Sequence, residues 1–102
     1  MAPMTLNDFI ESTQIDSEPP DELSEELRSL WFAKKGKWHD SHDIAQDIHT
    51  PMGSWIHALL HTIEGDLGNA GYWYSKAGKP AIQPDETDDE WARISETALE
   101  SV

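Results

Sequence analysis

Apolar residues recur along this chain at helical spacing. Leu23, Leu27, Leu30 and Trp31 form one such run, and Met52, Trp55, Ile56, Leu59, Leu60 and Ile63 form another. Side chains three and four apart share one face of a helix, so both runs predict amphipathic helices. No stretch alternates apolar and polar residues as a half-buried strand does. The punctuation between runs fits the same reading. Thr5 with Asp8 makes a capping-box pattern for a short first helix whose apolar side is Leu6, Phe9 and Ile10. Residues 13–20 read as a linker, because Pro19-Pro20 does not fit inside a helix. A second helix is expected from Asp21 to a Gly36 stop, and a third from about Trp38 to His49 with Trp38, Ser41, Ala45 and Ile48 on one face. Thr50-Pro51 opens a fourth over 51–64, closed by Gly65. Asp66 caps a fifth over 67–77, which stops at Gly78. After a linker at 79–86, Thr87 with Glu90 predicts a capping box for a last helix carrying Trp91, Ile94, Ala98 and Leu99. The predicted fold class is all-α, with five or six helices.

The chain also repeats itself at a spacing of 29. Gly36, Ser41, Ala45, Ile48 and Pro51 are matched by Gly65, Ala70, Tyr74, Ala77 and Pro80. Each copy places a helix stop, then a small residue, two apolar positions and a closing Pro. A repeated supersecondary unit predicts two helical hairpins in tandem.

The stretch Gly65 to Pro80, with Gly65, Ala70, Tyr74, Ala77 and Pro80 in order, resembles the second helix of a tetratricopeptide repeat. The copy from Gly36 to Pro51 follows the pattern more loosely, and the period is 29 rather than the usual value of about 34. The string from Leu30 through Gln46, followed by Trp55 through Pro80, also resembles a group of small bacterial proteins that carry no assigned activity. These resemblances imply two tetratricopeptide-like hairpins flanked by short N-terminal and C-terminal helices that act as caps. The expected organisation is one domain over 1–102: an N-terminal arm and linker at 1–20, a repeat core at 21–80, and an acidic linker and helix at 81–102.

Charge sharpens this division. The net charge is −13, and it is unevenly placed: residues 1–30 carry −7, residues 81–102 carry −6, and residues 31–80 are neutral. Nucleic acid is not an expected partner, because phosphate contacts need clustered Lys and Arg. No apolar run is long enough to span a membrane, and the N-terminus lacks the basic-then-apolar pattern of a secretory signal. A cytoplasmic location is expected. The chain has no cysteine, which excludes disulfides, thiolate metal sites and cysteine nucleophiles.

The candidate chemistry lies on the fourth helix. His57, His61 and Glu64 fall at i, i+4 and i+7, within about 60° of one another around the axis. Two His one turn apart converge their imidazoles as zinc ligands do, and Glu64 is the natural third ligand or an orienting group. The apolar stripe of this helix is expected on its opposite side. His42, on the third helix, is expected to approach His57 or His61. Position 58 is Ala, so the zinc-protease motif is not present. Tyr72, Trp73 and Tyr74 are consecutive; Tyr74 is expected in the core, with Trp73 or Tyr72 turned toward a partner or groove. Lys34, Lys35 and Lys37 suit the C-terminal end of a helix dipole.

These features lead to two expectations. The first is a non-enzymatic module that binds a protein or peptide, with Phe32, Lys35, His42, His57, His61, Glu64 and Trp73 at its binding face and no cofactor. The second is a metal or small-ligand site, possible for catalysis, in which His42, His57, His61 and Glu64 hold a divalent ion such as zinc. A homodimer joined through exposed aromatics is a further expectation.

Overall fold

Side-chain oxygens start four of the helices seen in a computed structural model, which describes residues 4–101. Thr5, Ser24, Thr50 and Asp66 each accept a hydrogen bond from a backbone N–H in the first turn that follows. The helices are α1 (Leu6–Ile15), α2 (Glu25–Lys34), α3 (Trp38–Ala45), α4 (Pro51–Glu64), α5 (Leu67–Ala77) and α6 (Thr87–Glu100), with a short 3-10 turn at Pro84–Glu86. Among the described residues there is no strand. The first three residues of the N-terminal arm and Val102 lie outside the described residues. Gly36, Gly65 and Gly78 have φ of +80°, +89° and +71°, the left-handed conformation that ends a helix and that glycine adopts without strain.

α4 is the axis of the molecule. It packs on α3 and α5, while α6 crosses α4, α2 and α1 to close the core. α2 lies against α3, as α4 lies against α5. Ser29 and Ser41 let α2 and α3 approach closely: each hydroxyl donates to the other residue's carbonyl, at 2.8 and 2.6 Å, and neither residue is exposed. The fully buried set includes Phe9, Leu30, Trp31, Ile56, Leu59, Leu60 and Ile94. Phe9 stacks on Trp91 with ring centroids 5.5 Å apart.

Four of the five tryptophans fasten one helix to another through the indole N–H. Trp31 on α2 donates to Ser12 on α1, Trp38 on α3 to the Leu60 carbonyl on α4, Trp55 on α4 to Glu90 on α6, and Trp91 on α6 to the Leu30 carbonyl on α2. A buried indole needs such an acceptor, so each bond fixes an inter-helix register as well as burying a large apolar ring. The fifth, Trp73, lies against His57.

Several details depart from the pattern read in the sequence. α1 runs to Ile15, into the expected linker. α2 begins at Glu25 rather than Asp21, because Ser24 accepts the capping bond and Asp21-Glu22 form a turn. α3 ends at Ala45, and Gln46-Asp47 continue only as a turn. Ile63, on the last turn of α4, is exposed. The expected Thr87–Glu90 box does not form. Glu90 is 3% exposed and is drawn inward by Trp55 and Tyr74, and the capping box forms instead between Gln83 and Glu86.

Candidate metal centre

α4 carries only one carboxylate, Glu64, and no lysine or arginine over its 14 residues. Such a helix is apolar on nearly every side and is covered accordingly. His57 and His61 are each 6% exposed, which corrects the expectation that they lie opposite the packed face. One turn apart, their rings stack at 4.8 Å between centroids. α3 brings the third imidazole. Trp38 donates to the Leu60 carbonyl at 2.7 Å, which pins the start of α3 to α4, and one turn later His42 falls beside His57. The Nε2 atoms of His42 and His57 are 2.9 Å apart.

The three histidines each offer a nitrogen, and these atoms all lie within 4.8 Å of one another. Tetrahedral zinc, with bonds of about 2.0–2.1 Å, needs its ligand nitrogens about 3.3 Å apart. The His42–His57 separation is close to that value, and the His61 nitrogen lies within 4.8 Å of both. The residues present therefore fit a first-row divalent ion.

Glu64 stands outside the three-histidine cluster, in the orienting contact with His61 that was the other role expected of it. With His61 and Asp66 it forms a second group of ligand atoms within 4.8 Å of one another. Its Oε2 lies 2.6 Å from Nδ1 of His61. A carboxylate there accepts the Nδ1 proton, which leaves Nε2 as the lone-pair nitrogen. This is the outer-shell contact that orients metal-binding imidazoles. Asp66 is near His61 and Glu64, yet it is engaged at the start of α5, accepting from the Asn69 amide.

The surroundings favour the neutral form of His42 and His57. Burial, then the neighbouring His42 and His61, lowers the pKa of His57 to about 4. His42 is also lowered, by burial first and then by His61. Neutral imidazole is the form that binds metal. Two indoles wall the cluster: Trp38 stacks on His42 at 4.7 Å and Trp73 on His57 at 3.9 Å.

The structure thus brings together His42, His57, His61, Glu64 and Trp73. It places the other two expected site residues in different contacts. Lys35 donates to the Asp16 carbonyl at 3.3 Å and covers the Trp31 ring, and Phe32 meets the edge of Trp31. Tyr74 is buried, as expected, and Tyr72 is exposed. Trp38 was legible only as an apolar position, and nothing in the spacing marks its second role as a wall of the site. No protein-family profile, curated protein or solved structure matches the chain. Among the described residues no helix is long and apolar enough to cross a membrane.

Proposed function

We propose that this protein binds a divalent transition-metal ion through His42, His57 and His61, with Glu64 orienting His61. The single observation behind this reading is the convergence of three histidine nitrogens within 4.8 Å from two different helices. Three neutral imidazoles without thiolates suit zinc, nickel, copper or iron better than calcium or magnesium, which take oxygen ligands. The ion joins α3 to α4 and so also stabilises the fold. The pairing of α2 with α3 and of α4 with α5, each pair joined through a left-handed glycine, supports reading these helices as two tetratricopeptide-like units that carry the site.

The test is thermal unfolding of metal-stripped protein with and without zinc, nickel and copper. An ion that binds only the folded state at one hundred times its Kd adds about 2.7 kcal/mol. His57 and His61 are buried, so their alanine variants lose stability on their own. The readout is therefore the metal-induced shift, compared between the native chain and His42→Ala, whose ring is half-buried. A shift of several degrees that His42→Ala loses supports the centre. No shift with any of the three ions overturns it.

A protein or peptide partner is the second reading. It is supported by Ile63, Leu67 and Tyr72, which are 46%, 49% and 57% exposed.

A further inference from the structure

One of the three histidines reaches beyond the cluster. His57 also lines a cleft of about 490 Å³ beside the α3–α4 turn, walled by Trp73. This volume suits a small organic molecule. Gln46, His49, Ser54 and Lys76 supply the polar groups, and Ala45 and Ile48 give it an apolar part. Among the described residues no carboxylate lines the cleft, although 20 of the 102 residues are acidic. Lys76 places its ammonium 5.2 Å from the centre of the Trp73 ring, and among the described residues it makes no ion pair.

We infer that this cleft receives a small organic anion, whose oxyanion completes the coordination of the ion and whose charge is also met by Lys76. The inference rests on the metal reading above. Three protein ligands leave a tetrahedral ion one position for water or an exogenous ligand. Of the three ligands only His57 lines the cleft, so its ring is the contact between the cleft and the ion. Three neutral imidazoles leave the full double charge on the ion, and a carboxylate or phosphate oxygen is the ligand that neutralises it. An acidic side chain in the wall would repel such a guest, and this lining has none. Trp73 presents a flat apolar surface beside the anion. The chain's net charge of −13 opposes the approach of any anion, so affinity in the millimolar range is expected, strengthening as salt is reduced where Lys76 takes part.

The experiment uses the full chain loaded with cobalt(II), whose visible absorption reports changes in its ligands. Acetate, inorganic phosphate and neutral acetamide are titrated into the native protein and into Lys76→Gln. Lys76 is exposed and the substitution adds no metal ligand, so the variant is expected to fold and to hold cobalt. The expected result is a spectral change with an anion and none with acetamide, and an anion Kd at least fivefold weaker in Lys76→Gln. The tighter of acetate and phosphate assigns the guest as a carboxylate or a phosphate compound. Cobalt binding with no response to either anion overturns this inference and leaves the metal centre standing. An anion response unchanged in Lys76→Gln overturns the role of the cleft. Failure to bind cobalt at all removes both.

Discussion

Nε2 of His42 and Nε2 of His57 stand 2.9 Å apart, so one of them donates and the other accepts. Both imidazoles therefore do not carry a proton at these atoms in the folded state. This contact, together with burial, opposes protonation of His57. Its pKa near 4 lies below the usual value of 6.5, so between these values the unfolded chain binds more protons than the folded one. Unfolding then takes up a proton, and stability falls as pH is lowered from about 6.5 to 4. Allowing for solvent screening beside the cleft, the contribution is on the order of 1–2 kcal/mol. Carboxylates also titrate near the acid end of this range, so the test is a difference. Urea unfolding of metal-free native protein and His57→Gln is compared at pH 7.0, 5.5 and 4.0. The native chain is expected to lose more stability than the variant; parallel losses would remove His57 as the source.

Glu64 acts through His61, and its removal has a distinct signature. Glu64→Gln keeps the shape but weakens the charge-assisted contact at Nδ1. Zinc affinity is expected to fall about 10–100-fold, the usual effect of losing an outer-shell partner. Melting of the metal-free protein should change little, because the Glu64 side chain is 39% exposed. Competition with a chromophoric chelator measures the affinity. An unchanged Kd would show that the contact does not serve the metal. Complete loss of binding would make Glu64 a direct ligand.

The sequence was most legible where local chemistry decides the structure. Thr50-Pro51, Gly65, Asp66 and Gly78 mark the ends of α4 and α5 at the residues where they occur, because caps and left-handed glycines act on their own neighbours. The two histidines at i, i+4 and the approach of His42 were legible from helical geometry and hairpin packing. Their burial was not, because a single helix does not say how many neighbours will cover it. The near absence of charge from Pro51 to Glu64 was the available signal. Glu90 shows the same limit. Its spacing from Thr87 favoured a local cap, yet Glu90, Ile94 and Ala98 form one stripe, and the inward donors that claim its carboxylate come from Trp55 and Tyr74, far away in sequence.

Glu90 joins three helices. Its Oε2 accepts from Trp55 on α4 and from Tyr74 on α5, both at 3.0 Å, while Oε1 accepts from Arg93 on α6 itself. Burial, then the Glu90 charge, pushes the Tyr74 phenol well above its usual range, so it remains a donor at any working pH. Glu90→Ala strands two buried donors and is expected to cost about 2–5 kcal/mol. Tyr74→Phe removes one donor and leaves the carboxylate its other partners, at a cost of about 1 kcal/mol. Equilibrium urea unfolding ranks the two. A Glu90→Ala cost no larger than that of Tyr74→Phe would mean that water replaces the carboxylate.

Two glycines inside helices should answer to alanine with opposite signs. In α4, a Cβ on Gly53 would overlap the Ile48 carbonyl oxygen and stand 2.7 Å from the Ile48 side chain. The oxygen belongs to the backbone of the α3–α4 turn, so relief requires that turn to move. The overpacking exceeds the gain of about 1 kcal/mol that alanine brings to a helix interior, and Gly53→Ala is expected to lose at least about 1–2 kcal/mol. In α5, a Cβ on Gly71 meets nothing within 4 Å, so Gly71→Ala should gain about 0.5–1 kcal/mol. Thermal melts of both variants decide this, since about 1 kcal/mol moves the midpoint of a domain of this size by several degrees. The same turn carries the chain from His42 to α4, and Ile48 and Gly53 line the cleft beside His57. Gly53→Ala should therefore also weaken zinc binding, whereas Gly71→Ala should leave it unchanged. A Gly53→Ala protein as stable as the native chain, with full zinc affinity, would show that the turn yields without disturbing the histidines.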